Sequence, residues 1–142
     1  MAVQALREFH TGPRVHFISN VDGAEILSLV KTLNAASTLV VVSSKTFTTA
    51  ETLINAQTAI AWLETELDLD KSQSRAQCIA ITNSRKKALA FGIPDQQILT
   101  FPDSIGADTL SGLQSASRSA SHWGSTISNL SWQEVRILTT IS

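Results

Sequence analysis

Short apolar runs alternate with stretches of helical period along most of this chain. Arg14–Ser19 (Arg-Val-His-Phe-Ile-Ser) is rich in β-formers and reads as a strand, closed by Asn20-Val21-Asp22-Gly23. Asp22 and Glu25 stand at capping-box spacing, and Leu27, Val30 and Leu33 then recur at helical intervals. Thr38–Ser43 (Thr-Leu-Val-Val-Val-Ser) is apolar on both faces, the pattern of a central parallel strand. Leu53, Ala56, Ile60, Leu63 and Leu67 form one apolar helix stripe with Trp62 beside it, entered through Thr48 and Glu51 at capping-box spacing. Ala76–Thr82 predicts a third strand. Ser84–Phe91 predicts a short basic helix stopped by Gly92 and Pro94, and Gln97–Phe101 a fourth strand. The order βαβαβαβ predicts an α/β fold, a parallel sheet with helices on both faces and ligands at the carboxyl ends of its strands.

Composition narrows the class. The 142 residues fit one domain, and 43% hydrophobic residues exclude wholesale disorder. A net charge of −1 argues against a nucleic-acid or acidic-lipid footprint. The single Cys78 excludes an internal disulfide, lies in an apolar strand away from other metal-ligating residues, and reads as a core thiol; no metal site is expected. No apolar run reaches the ~18 residues of a membrane span, and the start lacks a signal-peptide core. The expectation is a soluble cytoplasmic protein without nucleic-acid or membrane partners. His16 reads as a structural or rim residue, His10 sits in a loop without a visible partner, and Arg85-Lys86-Lys87 reads as a solvated helix start.

The average conceals a break. All five Phe precede Pro102, whereas Trp123 and Trp132 follow it. Residues 107–142 hold nine Ser and only Asp108, Arg118, Glu134 and Arg136 as charges. Composition does not shift this way within one packed domain, so 1–106 and 107–142 are read separately.

Between the strongest strand and the longest helix lies Ser43-Ser44-Lys45-Thr46-Phe47-Thr48-Thr49. It offers hydroxyls, one Lys and the unpaired N–H groups of a helix start, a combination that suits a phosphate. An ordinary polar connection with a Thr cap would look the same, and the residues alone leave both readings open. The absence of Gly-x-x-x-x-Gly-Lys-Ser/Thr argues against nucleotide P-loop chemistry.

The run Ser44-Lys45-Thr46-Phe47-Thr48-Thr49-Ala50-Glu51-Thr52, followed by Asn55-Ala56-Gln57-Thr58-Ala59 and Trp62, resembles the signature of the glucose-6-phosphate isomerase (phosphoglucose isomerase) family. Val15–Gly23, Ala88–Ile93 and Phe101-Pro102-Asp103 continue the match over roughly residues 1–106. The resemblance implies part of a sugar-isomerase (SIS) domain, a doubly wound flavodoxin-like or Rossmann-like parallel sheet. It implies aldose–ketose isomerisation between glucose 6-phosphate and fructose 6-phosphate, in glycolysis and gluconeogenesis, without a cofactor. Carried over by position, Ser44, Lys45, Thr46 and Thr49 would bind the substrate phosphate. Thr52 is a weaker candidate, and Thr48 is read as the cap.

The resemblance also implies what this chain lacks. The family's Gly-Ile-Gly-Gly-Ser turn, acid–base groups and Arg are not found, so no acid–base group of the reaction is assigned here and the fragment alone is expected to be inactive. The family is a homodimer, an arrangement not expected for this fragment. Phe-Pro-Asp-x-x-Gly is followed in the family by Gly-Arg-Tyr-Ser, whereas here Gly106 precedes Ala107-Asp108-Thr109-Leu110. One G inserted after the Gly106 codon allows Gly-Arg-Tyr-Ser and then a family-like apolar string, with a Gly forced by Trp123 and Gly124. Residues 107–142 therefore read as an out-of-frame, poorly structured tail, in which Ile127, Leu130, Val135 and Leu138 could at most make a frayed helix. The alternative is a stand-alone phosphosugar-binding SIS module without catalysis; a third reading is a product with no folded function.

Overall fold

The computed structural model describes residues 14–18, 23–100 and 136–141. Strand β1 (Arg14–Ile18) leads to helix α1 (Gly23–Val30), and a 3₁₀ turn (Ala35–Ser37) delivers the chain into β2 (Thr38–Ser43). Helix α2 (Ala50–Leu67) and the short α3 (Lys71–Arg75) return it to β3 (Cys78–Ile81). Helix α4 (Arg85–Phe91) and a second 3₁₀ turn (Asp95–Gln97) precede β4 (Ile98–Leu99). Strand β5 (Arg136–Ile141) completes the described residues.

Most of these elements follow from local chemistry. β2 runs over the expected residues and is buried at every position. Asp70 starts α3 with a complete capping box: its Oδ1 accepts from the N–H groups of Ser72 and Gln73, both at 2.8 Å, and its own N–H donates to Gln73 Oε1 at 3.1 Å. Helix α4 ends on Gly92 at φ 102°, where an added Cβ would lie 3.1 Å from Arg75 Nε; glycine is the residue that takes this conformation without strain. The Asp22 cap, Phe101, His10 and His122 lie outside the described residues.

The five strands form one parallel sheet in the order β1-β5-β2-β3-β4. This is the expected α/β architecture with a partial parallel sheet. Of residues 107–142, read apart in the sequence, Arg136–Ile141 is described, and it pairs with β1 on one side and β2 on the other. Leu138, expected at most in a frayed helix, is part of this strand opposite His16 and Val40. The segment Arg-Ile-Leu-Thr-Thr-Ile is dominated by β-branched residues, and β1 and β2 do not pair with each other, so two ladders stand open to it. The other residues of that expected helix lie outside the described residues.

Register explains the core. Val40 stands opposite Cys78, and Val42 opposite Ala80. These four pack with Ile26 and Val30 of α1, Ala56, Ala59, Ile60 and Leu63 of α2, and Ala88 of α4. Leu39, Val41, Ile79 and Ile81 alternate to the other face and are buried as well, as central parallel strands require. Gln77, itself buried, ties the strand starts together: its side-chain amide donates to the carbonyls of Ala35 at 3.1 Å and Thr38 at 3.0 Å. Cys78 is fully buried, as expected of a core thiol, and its Sγ donates to the Ser74 carbonyl at 3.4 Å.

Candidate functional site

All strands run the same way, so the segment Ser44–Thr49 leaves the carboxyl edge of the sheet and enters α2. The Ser44 N–H donates to the Ile81 carbonyl at 3.0 Å, which continues the β2–β3 pairing one residue past the strand. Ser44 is buried, and its Oγ accepts from the Phe47 N–H at 3.1 Å, closing a tight turn. Phe47 sits at φ 52°, the left-handed region that costs a non-glycine residue ~1–3 kcal/mol. Its ring makes that conformation durable: it is 3% exposed and meets Phe91 edge-to-face, with centroids 5.6 Å apart. Arg75 stacks over the other partner, its guanidinium carbon 5.0 Å from the Phe91 centroid.

The segment after β3 holds the loop from the side. The Lys45 carbonyl accepts from the Asn83 N–H at 3.1 Å and from Thr82 Oγ1 at 3.2 Å. Thr82 is in turn fixed by the Ser84 N–H, which donates to its Oγ1 at 3.0 Å. In a trans peptide the N–H points opposite the carbonyl, so the Thr46 N–H is directed away from β3 and α4. Among the described residues, no group accepts from the N–H of Lys45, Thr46, Thr48 or Thr49. Unpaired donors at a helix start, next to an exposed lysine, form an anion-receptive edge.

Ser44, Lys45, Thr46 and Thr49 therefore share one turn between the end of β2 and the start of α2. Lys45 is exposed and forms no ion pair among the described residues. The Thr46 and Thr48 hydroxyls lie 2.7 Å apart and share a hydrogen bond. Thr52 follows Thr49 by one helical turn; its hydroxyl is buried and, unlike those of Thr58 and Thr65, which donate to carbonyls four residues back, has no partner among the described residues.

One expectation about this region is corrected. Thr48 does not cap α2. The N-cap is Thr49, at φ −66° and ψ 113°, without a side-chain cap bond, and its carbonyl accepts the first helical bond from the Leu53 N–H at 3.1 Å. The turn closed by Ser44 and Phe47 shifts the helix start by one residue and turns the Thr48 hydroxyl toward Thr46 instead. The basic trio of α4 is an exposed helix start, as expected, and two of its members also make contacts. Arg85 forms a two-pronged pair with Asp95, which raises the guanidinium's pKa through the side-chain hydrogen bond first, and Lys87 Nζ donates to the Thr46 carbonyl at 3.3 Å. Contacts between residues so far apart in the chain leave no mark in sequence periodicity. The charge cluster was visible, its destination was not.

Residues 1–116 match the family model Phosphoglucose isomerase. The chain belongs to the phosphoglucose isomerase family. Its similarity to individual family members runs over 106 residues, or 75% of this chain. It is 49% identical over that length to the glucose-6-phosphate isomerase of Roseobacter denitrificans, 48% to that of a Ruegeria species and 45% to that of Brucella ovis. In each case the aligned part is 19% of the relative, so the chain spans about a fifth of the length of the isomerases it matches. Among the described residues no group of His, Cys, Asp and Glu could hold a metal ion, and no helix is long and apolar enough to cross a membrane.

Proposed function

We propose that this chain carries the substrate-phosphate cradle of a glucose-6-phosphate isomerase, with glucose 6-phosphate and fructose 6-phosphate as its ligands and the cytoplasm as its place of work. The observation that carries the reading is that the N–H groups of Lys45, Thr46, Thr48 and Thr49, at the entrance to α2, have no acceptor among the described residues and are flanked by the Lys45 ammonium. A sugar phosphate presents a dianion with several acceptors; backbone N–H groups and hydroxyls of Thr46 and Thr49 supply donors, and Lys45 supplies charge. Ser44 already accepts from Phe47, and its hydroxyl proton is the part it has left to give. Family membership supports the choice of ligand, since the relatives named above are glucose-6-phosphate isomerases.

Isomerisation needs groups that open the sugar ring and move a proton between C2 and C1, with a cation steadying the enediolate. None of the residues gathered at the loop has that role, and we assign to the 142-residue polypeptide binding without turnover. Titration of the purified chain with fructose 6-phosphate, followed by calorimetry or ³¹P NMR, tests the binding. Lys45→Ala is expected to weaken it by about tenfold, the loss of one charge-assisted contact. No response of the wild-type chain to the sugar phosphate refutes the cradle, and turnover above background in a coupled isomerase assay refutes the inactivity.

The tail belongs to the same proposal. We infer that 107–142 is translated out of frame, a reading supported by the nine serines after Ala107 and by similarity to the relatives that covers 106 residues. Resequencing the coding DNA around the Gly106 codon decides it: one missing base is expected, and an in-frame codon run identical to the present one on independent templates rejects it.

A further inference from the structure

Helix α4 contributes a residue to the phosphate loop that its place in the sequence does not suggest. Three groups, two from the connection after β3 and one from α4, converge on two successive loop carbonyls. Asn83 and Thr82 hold Lys45 O, and Lys87 holds Thr46 O. The last of these is distinctive because the peptide unit between Thr46 and Phe47 is then held at both ends. Its N–H donates to Ser44 Oγ at 3.1 Å, and its carbonyl accepts from Lys87 Nζ at 3.3 Å. That unit immediately precedes the left-handed Phe47, the one place in the loop where the backbone is strained. A strained peptide persists only when its surroundings over-determine it. Ser44 and Lys87 do so from opposite sides.

The other two cations of α4 are not equivalent. Arg85 is engaged by the Asp95 carboxylate, and Lys86 is exposed with no partner among the described residues. Successive helix positions are turned about 100° from one another, so only one of three adjacent residues can reach the loop.

We propose that Lys87 is a positioning residue for the phosphate cradle: its ammonium, bound to the Thr46 carbonyl, fixes the Thr46–Phe47 peptide and with it the direction of the loop N–H groups. The part that concerns ligand affinity rests on the phosphate-binding reading above; the part that concerns the loop's conformation does not. A point charge on a flexible stem is suited to this task, since it can follow the carbonyl as the loop adjusts.

The test uses the full chain without ligand and compares wild type with Lys87→Met, Lys87→Arg and Lys86→Met. Amide hydrogen exchange is followed across the loop and in β2 and β3. Lys87→Met is expected to speed exchange of the Phe47 amide, the loop N–H that Ser44 holds, by about threefold while leaving the strand amides unchanged. Lys87→Arg restores protection because a guanidinium can donate to the same carbonyl, and Lys86→Met, which removes the same charge from the same helix, has no effect. A titration with fructose 6-phosphate then shows affinity roughly threefold to tenfold lower for Lys87→Met. Unchanged loop exchange in Lys87→Met overturns the proposal, as does an equal rise in loop and strands. Weakened binding with unchanged exchange also overturns it, because Lys87 then acts by charge alone. If loop exchange responds but the wild-type chain does not bind the sugar phosphate, the positioning role stands and the phosphate cradle falls.

Discussion

At the scale of single residues, burial decides what the chemistry can do. Burial pushes the Cys78 thiol up to about 12, with the Arg75 guanidinium opposing and Glu64 adding to the rise. An unfolded thiol ionises near ~8.5. Between those values the folded protein keeps a proton that the unfolded chain has lost, so the unfolded state gains from ionisation and the folded state does not. The stability contribution is complete below about pH 8.5 and declines as pH rises toward 12, with a slope approaching ~1.4 kcal/mol per unit. Urea melts at pH 8 and pH 10 should show this loss, and Cys78→Ala should flatten it. The same burial marks Cys78 as a packing residue, as the apolar strand around it indicated. Phe47 shows the opposite outcome. A Phe in a polar loop reads as a mere interruption, and only contact with Phe91, supplied by another element, shows that it anchors the turn.

At the scale of elements, periodicity located strands and helices well and caps poorly. β2 and the stripe on α2 are long or uniform enough for their pattern to be unambiguous, and both stand where the pattern placed them. The entry to α2 does not, because Thr48 and Thr49 are chemically equivalent candidates. The choice between them falls to the Ser44–Phe47 turn, itself set by the left-handed Phe47. β5 is the larger departure. Its position between β1 and β2 means that a backbone break there loosens two ladders at once. Thr139 stands opposite Phe17 on one side and Val41 on the other. Thr139→Pro removes a ladder donor from an interior strand and is expected to destabilise the chain by on the order of 2–4 kcal/mol, read from denaturant melts. A melt unchanged by this substitution would remove β5 from the sheet.

At the scale of the molecule, the site exists because a parallel sheet collects its carboxyl ends on one edge. β2 delivers the loop and β3 delivers the segment that grips it, so the loop is held by two βα connections together. The residues proposed to bind phosphate, Ser44, Lys45, Thr46 and Thr49, could be named from the sequence because they lie within six positions and carry the family's pattern. The residues that hold them, Thr82, Asn83, Lys87 and Phe91, were not, because nothing along the chain joins them to the loop.

The opening pattern of apolar runs thus determined by itself the α/β class, the four leading strands, the core position of Cys78 and the place of the polar loop between the strongest strand and the longest helix. Each depends on neighbours in sequence, which periodicity and short motifs record. Tertiary structure alone decided which threonine begins α2, that the last strand is seated inside the sheet, and that Lys87 belongs to the loop. Those outcomes come from competition among distant groups for the same few hydrogen-bond partners, and a linear pattern does not encode who wins.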